Sequence, residues 1–192
     1  MGYDWYMDGK MENKINTFHD FNACAEYLIE ENYTFDKGIT IEGRSAGGLL
    51  VGAAMTMKPE LYRTVIAGVP FVDVVNTMSD PTIPLTVPEW EQWGNPNIEK
   101  YYHLMMEYSP YDNISPSNYP NMLALAGLND PRVAYWEPAK FVAKLRYHNA
   151  GSNQIILKTE LDQGHFGGMD RYKYLKEKAF SYAFIIKTYL ED

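Results

Sequence analysis

The sequence is poor in cysteine. With Cys24 alone in 192 residues, no intramolecular disulfide can close and no metal site with paired cysteine ligands can form, which suits a reducing, cytoplasmic setting. It also lacks any run near the ~18 consecutive apolar residues of a membrane span. Its start, MGYDWYMDGK, has no basic segment followed by an apolar one, so neither a membrane helix nor a signal peptide is expected. Positive charge is in deficit: 17 Lys and Arg against 25 Asp and Glu leave a net charge of −8. No basic run offers a footprint for phosphates, which argues against a nucleic-acid partner. Internal repeats and low-complexity linkers are missing as well. What is there, 46% apolar and 22% charged residues, is the balance of a globular chain long enough for a sizeable core.

Four short β-type runs alternate with stretches of helical periodicity, which points to an α/β fold with a parallel sheet. The runs are Ile39–Ile41, Thr64–Val69, Met122–Ala126 and Gln154–Thr159, nearly continuous in apolar residues as strands covered on both faces are. Asn16 or Thr17 is placed to cap a helix with Phe18, Phe21, Ala25 and Leu28 on one face. Ala46–Met57 makes a second helix, Pro138 stands in the first turn of a third with Phe141 and Leu145, and Arg171–Leu190 makes a fourth. Between Phe71 and Asn121 runs a long connection with seven of the eleven prolines and two of the four tryptophans. A connection of that length inside a compact domain reads as functional.

Gly43-Arg44-Ser45-Ala46-Gly47 is a G-x-S-x-G directly after an apolar strand and directly before a helix, the setting of a nucleophile elbow. Such a turn strains the serine backbone, and a Cβ at either flanking glycine is expected to collide with the adjacent strand or helix. The first helical turn leaves backbone N–H groups unpaired, so the Ala46 amide is placed to donate to an oxyanion. A serine hydroxyl needs a histidine base and an acid to orient it, in the chain order Ser, Asp, His on this template. Among His19, His103, His148 and His165, only His165 stands in a glycine-bracketed loop, Gly164 to Gly168, just past the last strand. For the acid, Asp130 follows the third strand and Asp162, in the histidine's own loop, is the rival. One member per strand end favours Asp130.

Glu89 and Glu91 stand among Trp90 and Trp93 in the proline-rich connection. A guanidinium prefers a carboxylate, and aromatic walls stack on its face, so these residues suit a cationic side chain. Two glutamates on a surface loop are equally compatible with plain solvation.

The segments WYMDGK, KINTFHDF, GRSAGGLLVGA, VPFVDVVNTM, PLTVPEWEQWGNP, YSPYDN, YWEPAKFVAKLR and GHFGG together resemble the prolyl oligopeptidase family of serine peptidases, and within it the oligopeptidase B branch, over nearly the whole chain. The resemblance implies the C-terminal half of an α/β-hydrolase fold, with about four parallel strands flanked by helices and no propeller domain. Residues 1–192 would then be a partial peptidase S9 catalytic domain. By motif, Ser45 is similar to the nucleophile, Asp130 to the triad acid, His165 to the base, Ala46 to the residue whose amide serves the oxyanion hole, and Arg132 to a substrate-binding arginine. Glu89 and Glu91 stand where the P1 pocket of this branch has its carboxylates, which implies cleavage of short basic peptides after Lys or Arg. No cofactor and no metal are implied. The upstream propeller and N-terminal hydrolase segment of a parent protein are the implied partners, so the chain is expected to be a fragment, weakly active or inactive by itself. A catalytically inactive remnant or assembly partner is the alternative, and a small carboxylesterase a weaker one, because the same triad serves esters.

Overall fold

In the computed structural model, which describes residues 2–168 and 170–190, the elements in chain order are α1 (Tyr3–Met7), α2 (Ile15–Glu30), β1 (Ile39–Arg44), α3 (Ala46–Met57), β2 (Tyr62–Gly68), α4 (Val74–Ser79), α5 (Thr86–Trp93), α6 (Glu99–Tyr108), β3 (Asn121–Gly127), α7 (Trp136–His148), β4 (Ile155–Glu160) and α8 (Arg171–Leu190). Residues 1, 191 and 192, at the ends of the expected domain, lie outside the described residues. The four strands form one parallel sheet in the order β1-β2-β3-β4. Their apolar runs start 23, 59 and 34 residues apart, because each parallel strand must be followed by a crossover long enough to return to the same end. All four therefore point the same way, and the segments after Arg44, Gly68, Gly127 and Glu160 emerge at one end of the sheet. Functional loops of parallel sheets gather at that end.

The side-chain alternation of the strands divides the core. Ile41, Val65, Ala67, Met122, Ala124 and Ile155 face α3 and α7, packing with Val51, Met55, Phe141 and Leu145. Ile66 and Leu123, one residue out of phase, face α8 and its Phe184. Strand register keeps the two sets apart: Val65 pairs with Met122 and Met122 with Ile155, while Ile66 pairs with Leu123.

Two expectations about helices change. Asn16 and Thr17 do not cap α2, which starts at Ile15 with Lys14 in the cap position. Their side chains, tilted back toward the N-terminus as on any helix, donate instead to the carbonyls of Asp8 at 2.9 Å and Gly9 at 3.2 Å, tying the preceding turn to the helix. The buried stripe of α2 is Phe18, Asn22 and Ala25, not one that includes Leu28. Asn22 is tolerated there because its Oδ1 accepts the Tyr62 hydroxyl at 2.5 Å. The long Phe71–Asn121 connection is also not a loop: α4, α5 and α6 occupy much of it. Their Val74, Met78, Trp93, Met105 and Tyr108 pack on Phe18, Leu49 and Ala53, a second core beside the strand ends.

Candidate active site

Ser45 joins β1 to α3 with φ 56° and ψ −119°. This left-handed conformation costs a residue with a Cβ on the order of 1–3 kcal/mol and persists only where surroundings over-determine it. Here they do: the Ser45 N–H donates to the Gly68 carbonyl at 2.9 Å, and its carbonyl accepts the N–H of Leu49 at 3.1 Å and of Phe71 at 3.2 Å. A Cβ on Gly43 would collide with the Gly47 carbonyl, as the sequence suggested. For Gly47 the expectation fails, since a Cβ there would meet open space. The close approach belongs to Gly48, where a Cβ would run into Pro70. Ala46 is the first residue of α3, so its N–H has no acceptor within the helix. A second strained residue, missed by sequence reasoning, is Val69 at φ 37°, a β-branched residue just past β2 whose N–H donates to Leu125 at 2.7 Å.

His165 and Asp130 come together from different strand ends. The histidine Nδ1 lies 2.8 Å from Asp130 Oδ2, and both residues are buried. The other carboxylate oxygen accepts the backbone N–H of Arg132 at 2.8 Å and of Val133 at 2.9 Å. Three contacts thus hold the Asp130 side chain, and the tautomer that donates from Nδ1 along this bond has Nε2 as its acceptor. The rival Asp162 is exposed and pairs with Lys173 at 2.7 Å, a hydrogen bond that holds its carboxyl below the usual range. Arg44, inside the elbow, donates to the main-chain carbonyl of His165, and Gly168 N–H donates to Glu177 Oε1 at 3.1 Å.

Beside the elbow lies a cavity of about 130 Å³ lined by Ser45, Ala46, Phe71, Thr77, Met78, Glu89, Trp93, Arg132 and Val133, among others. Phe71 and Trp93 meet edge to face, 5.6 Å between ring centroids, and the Trp93 indole N–H donates to Glu89 Oε2 at 2.8 Å. Arg132 places its guanidinium 4.9 Å from the centre of the Phe166 ring. Glu91 requires a correction. It was expected beside Glu89, but both lie on α5 rather than on a loop, and residues two apart on a helix point roughly 200° apart. Glu91 is exposed and outside the cavity, where Gln92 and Glu89 stand instead.

Sequence reasoning also passed over Glu137. Glu137 is 1% exposed, and its Oε2 accepts the N–H of Val72 at 3.1 Å and of Asp73 at 3.0 Å. Its Oε1 accepts the Thr77 hydroxyl at 2.6 Å. Burial pushes its carboxyl up to about 7. The only local signal was a glutamate inside the apolar-periodic stretch that opens α7. Among the described residues, no group of His, Cys, Asp and Glu is placed to hold a metal ion, and no helix is long and apolar enough to cross a membrane.

The family model of peptidase S9, the prolyl oligopeptidase family, matches residues 1–191. The chain is 52% identical to Protease 2 of Moraxella lacunata over 97% of its own length and 27% of that protein. To dipeptidyl aminopeptidase BI of Pseudoxanthomonas mexicana it is 48% identical, over 97% of this chain and 26% of that one. The solved oligopeptidase B of Trypanosoma brucei, with covalently bound antipain in a closed form, superposes with a TM-score of 0.92 at 54% identity, over 95% of this chain and 26% of that one. The chain therefore spans about a quarter of the length of these relatives. With a four-stranded parallel sheet flanked by helices and a family match along nearly all of its residues, the chain belongs to the prolyl oligopeptidase family of serine peptidases.

Proposed function

We propose that this chain carries the catalytic machinery of a serine oligopeptidase that hydrolyses short peptides after Lys or Arg. The observation that carries the reading is the convergence at one end of the sheet of a strained Ser45 and a buried Asp130–His165 pair 2.8 Å apart. In this mechanism His165 Nε2 takes the Ser45 hydroxyl proton as Oγ attacks the scissile carbonyl, and Asp130 holds the ring and stabilises the imidazolium. The Ala46 N–H donates to the developing oxyanion. The imidazolium then protonates the leaving amine, and a water repeats the sequence to release the acid and restore Ser45. Glu89, with Phe71 and Trp93 as walls, receives the cationic side chain, and Arg132, which lines the same cavity, holds the substrate. A fork-shaped guanidinium suits this combination of carboxylate and aromatic faces.

Short basic peptides are the substrates in this reading, and a reducing, cytoplasmic setting agrees with the free, exposed Cys24. The partners in this reading are an upstream propeller and an N-terminal hydrolase segment of a longer protein, in keeping with relatives about four times as long as this chain. Support for the second comes from β1, which stands at the edge of the sheet with only β2 as a neighbour among the described residues. Another strand can add there by backbone pairing. The test is an active-site fluorophosphonate with mass mapping of the adduct, on the chain alone and mixed with the upstream segments of a relative. Label on Ser45, lost in Ser45→Ala and in His165→Ala, is the expected result. An adduct on another serine overturns the assignment.

A further inference from the structure

Three consecutive backbone amides past β2 point at two structures. The N–H of Phe71 donates to the Ser45 carbonyl, while those of Val72 and Asp73 donate to the Glu137 carboxylate. The same carboxylate takes the hydroxyl of Thr77, which lines the cavity together with Phe71. From Phe71 the contact runs to Trp93 and from Trp93 to Glu89. Glu137 itself lies seven residues beyond Asp130, in the first turn of α7, so one short segment carries the triad acid at one end and this buried carboxylate at the other. We propose that Glu137 is a positioning residue whose carboxylate clamps the Phe71–Asp73 strip and Thr77, and thereby sets the wall on which a cationic substrate side chain lies. The proposal rests on the reading of Ser45 and its cavity given above.

A carboxylate is suited to this task because all its partners are donors. Without it, two buried N–H groups lose their acceptor, which is the costly way to break a hydrogen bond. The charged and titratable groups around it are Asp73 on the strip, Lys140 on its own helix, which reaches Asp73 Oδ2 at 2.6 Å, and Tyr111, whose ring centre lies 4.6 Å from the Lys140 ammonium. Burial raises the Glu137 carboxyl to about 7 and the neighbouring Asp73 adds repulsion. Once protonated, the group must donate one hydrogen bond, so Thr77 turns from donor to acceptor and the cavity wall responds to pH near neutrality.

The experiment uses two readouts on the full chain: amide hydrogen exchange, and the ratio of Ser45 labelling rates by an arginyl phosphonate and by a small fluorophosphonate without a side chain. Glu137→Ala is expected to speed exchange at Val72 and Asp73 about 10-fold or more relative to Leu123 and Ala124 of β3, and to lower the labelling ratio about 10-fold. Glu137→Gln is expected to restore both, since its amide oxygen can accept the two N–H groups and its NH₂ can donate to Thr77. It is also expected to abolish the pH dependence of the ratio near neutrality that the wild type shows. Exchange that rises equally in β3, or a labelling ratio unchanged in Glu137→Ala, overturns the proposal. Should Glu137→Ala not fold, the pH profile of Glu137→Gln decides, and a profile identical to wild type counts against the clamp. A wild-type chain labelled by neither reagent, even when mixed with the upstream segments of a relative, refutes the triad reading. In that case, exchange at Val72 and Asp73 that is unchanged in Glu137→Ala and, in Glu137→Gln, follows the wild-type pH course refutes the clamp separately.

Discussion

The two faces of the sheet are built from different chemistry. On one, Val65, Ala67, Met122 and Ala124 meet α3 and α7 in a core where Met55, Phe141 and Leu145 are wholly shut off from water. On the other, α8 lies across the strands mainly through polar pairs. The Tyr189 and Thr40 hydroxyls are 3.0 Å apart, Thr188 and Thr64 2.6 Å, and Lys178 reaches Glu42 at 2.5 Å. Phe184 on Ile66 and Leu123 is its apolar anchor, and Tyr182, Ile186 and Leu190 on its outer side are more than half exposed. Apolar burial stabilises in proportion to area, whereas partly exposed ion pairs contribute little. The α3 and α7 face therefore carries most of the stability, and the α8 face mainly fixes where the helix sits. The site straddles the two. Ser45 and Asp130 lead into α3 and α7, while His165 sits on the loop from β4 to α8 and depends on Arg44, Glu177 and Asp130 to hold it.

The contrast can be broken by truncating one ring on each face. Phe141→Ala is expected to cost about 3–5 kcal/mol of unfolding free energy and Phe184→Ala about half that, measured by denaturant titration. Equal losses would mean that the faces contribute alike. Within the stronger face, Glu137 adds a pH term of its own. Its carboxyl rises from 4.5 to about 7 on folding, so the folded state binds the proton more tightly. The neutral carboxyl's advantage is therefore full below about pH 4.5 and is lost as pH rises through about 7. That loss is on the order of 3 kcal/mol, and Glu137→Gln should remove it from the stability profile. A wild-type profile parallel to that of the variant would place the carboxyl outside the core.

A smaller effect separates the two glutamates of α5. In the active protein, Glu89→Gln should reduce the arginyl-over-leucyl preference by about 1–3 kcal/mol in kcat/KM. Glu91→Gln should change it by less than about 0.5 kcal/mol, as an exposed surface substitution does. Equal effects would bring Glu91 into the cavity. The smallest change is expected on the outer side of α8, where Ile186→Lys should alter stability by no more than about 0.5 kcal/mol. A loss of several kcal/mol there would show that another surface covers this face.

The strands, the elbow and the histidine loop were legible because each rests on neighbouring residues. An apolar run bounded by glycine or proline marks a strand, and G-x-S-x-G has chemical meaning only between a strand and a helix. The helices inside the Phe71–Asn121 connection were hidden by the prolines that flank them and by Pro88 within α5, yet Pro88 sits in the first turn of that helix, where its missing N–H costs nothing. Glu91 was misjudged for the same reason. On an extended loop two glutamates with one residue between them share a face, and on a helix they do not. Glycines 47 and 48 look alike in the chain, and only the approach of Pro70 distinguishes them.

By itself the sequence determined the class of fold, the positions of the strands along the chain, and the residue types that stand at their ends, since these follow from periodicity and turn chemistry within a few residues. Tertiary structure alone decided that Asp130 and not Asp162 meets His165, across a separation of 35 residues. It also decided that Glu89 lines the cavity and that Glu137, a surface-type residue, is buried against Val72, Asp73 and Thr77. The reason is that a charge's surroundings depend on distance and on the exclusion of water, and both are set by residues far away in the chain.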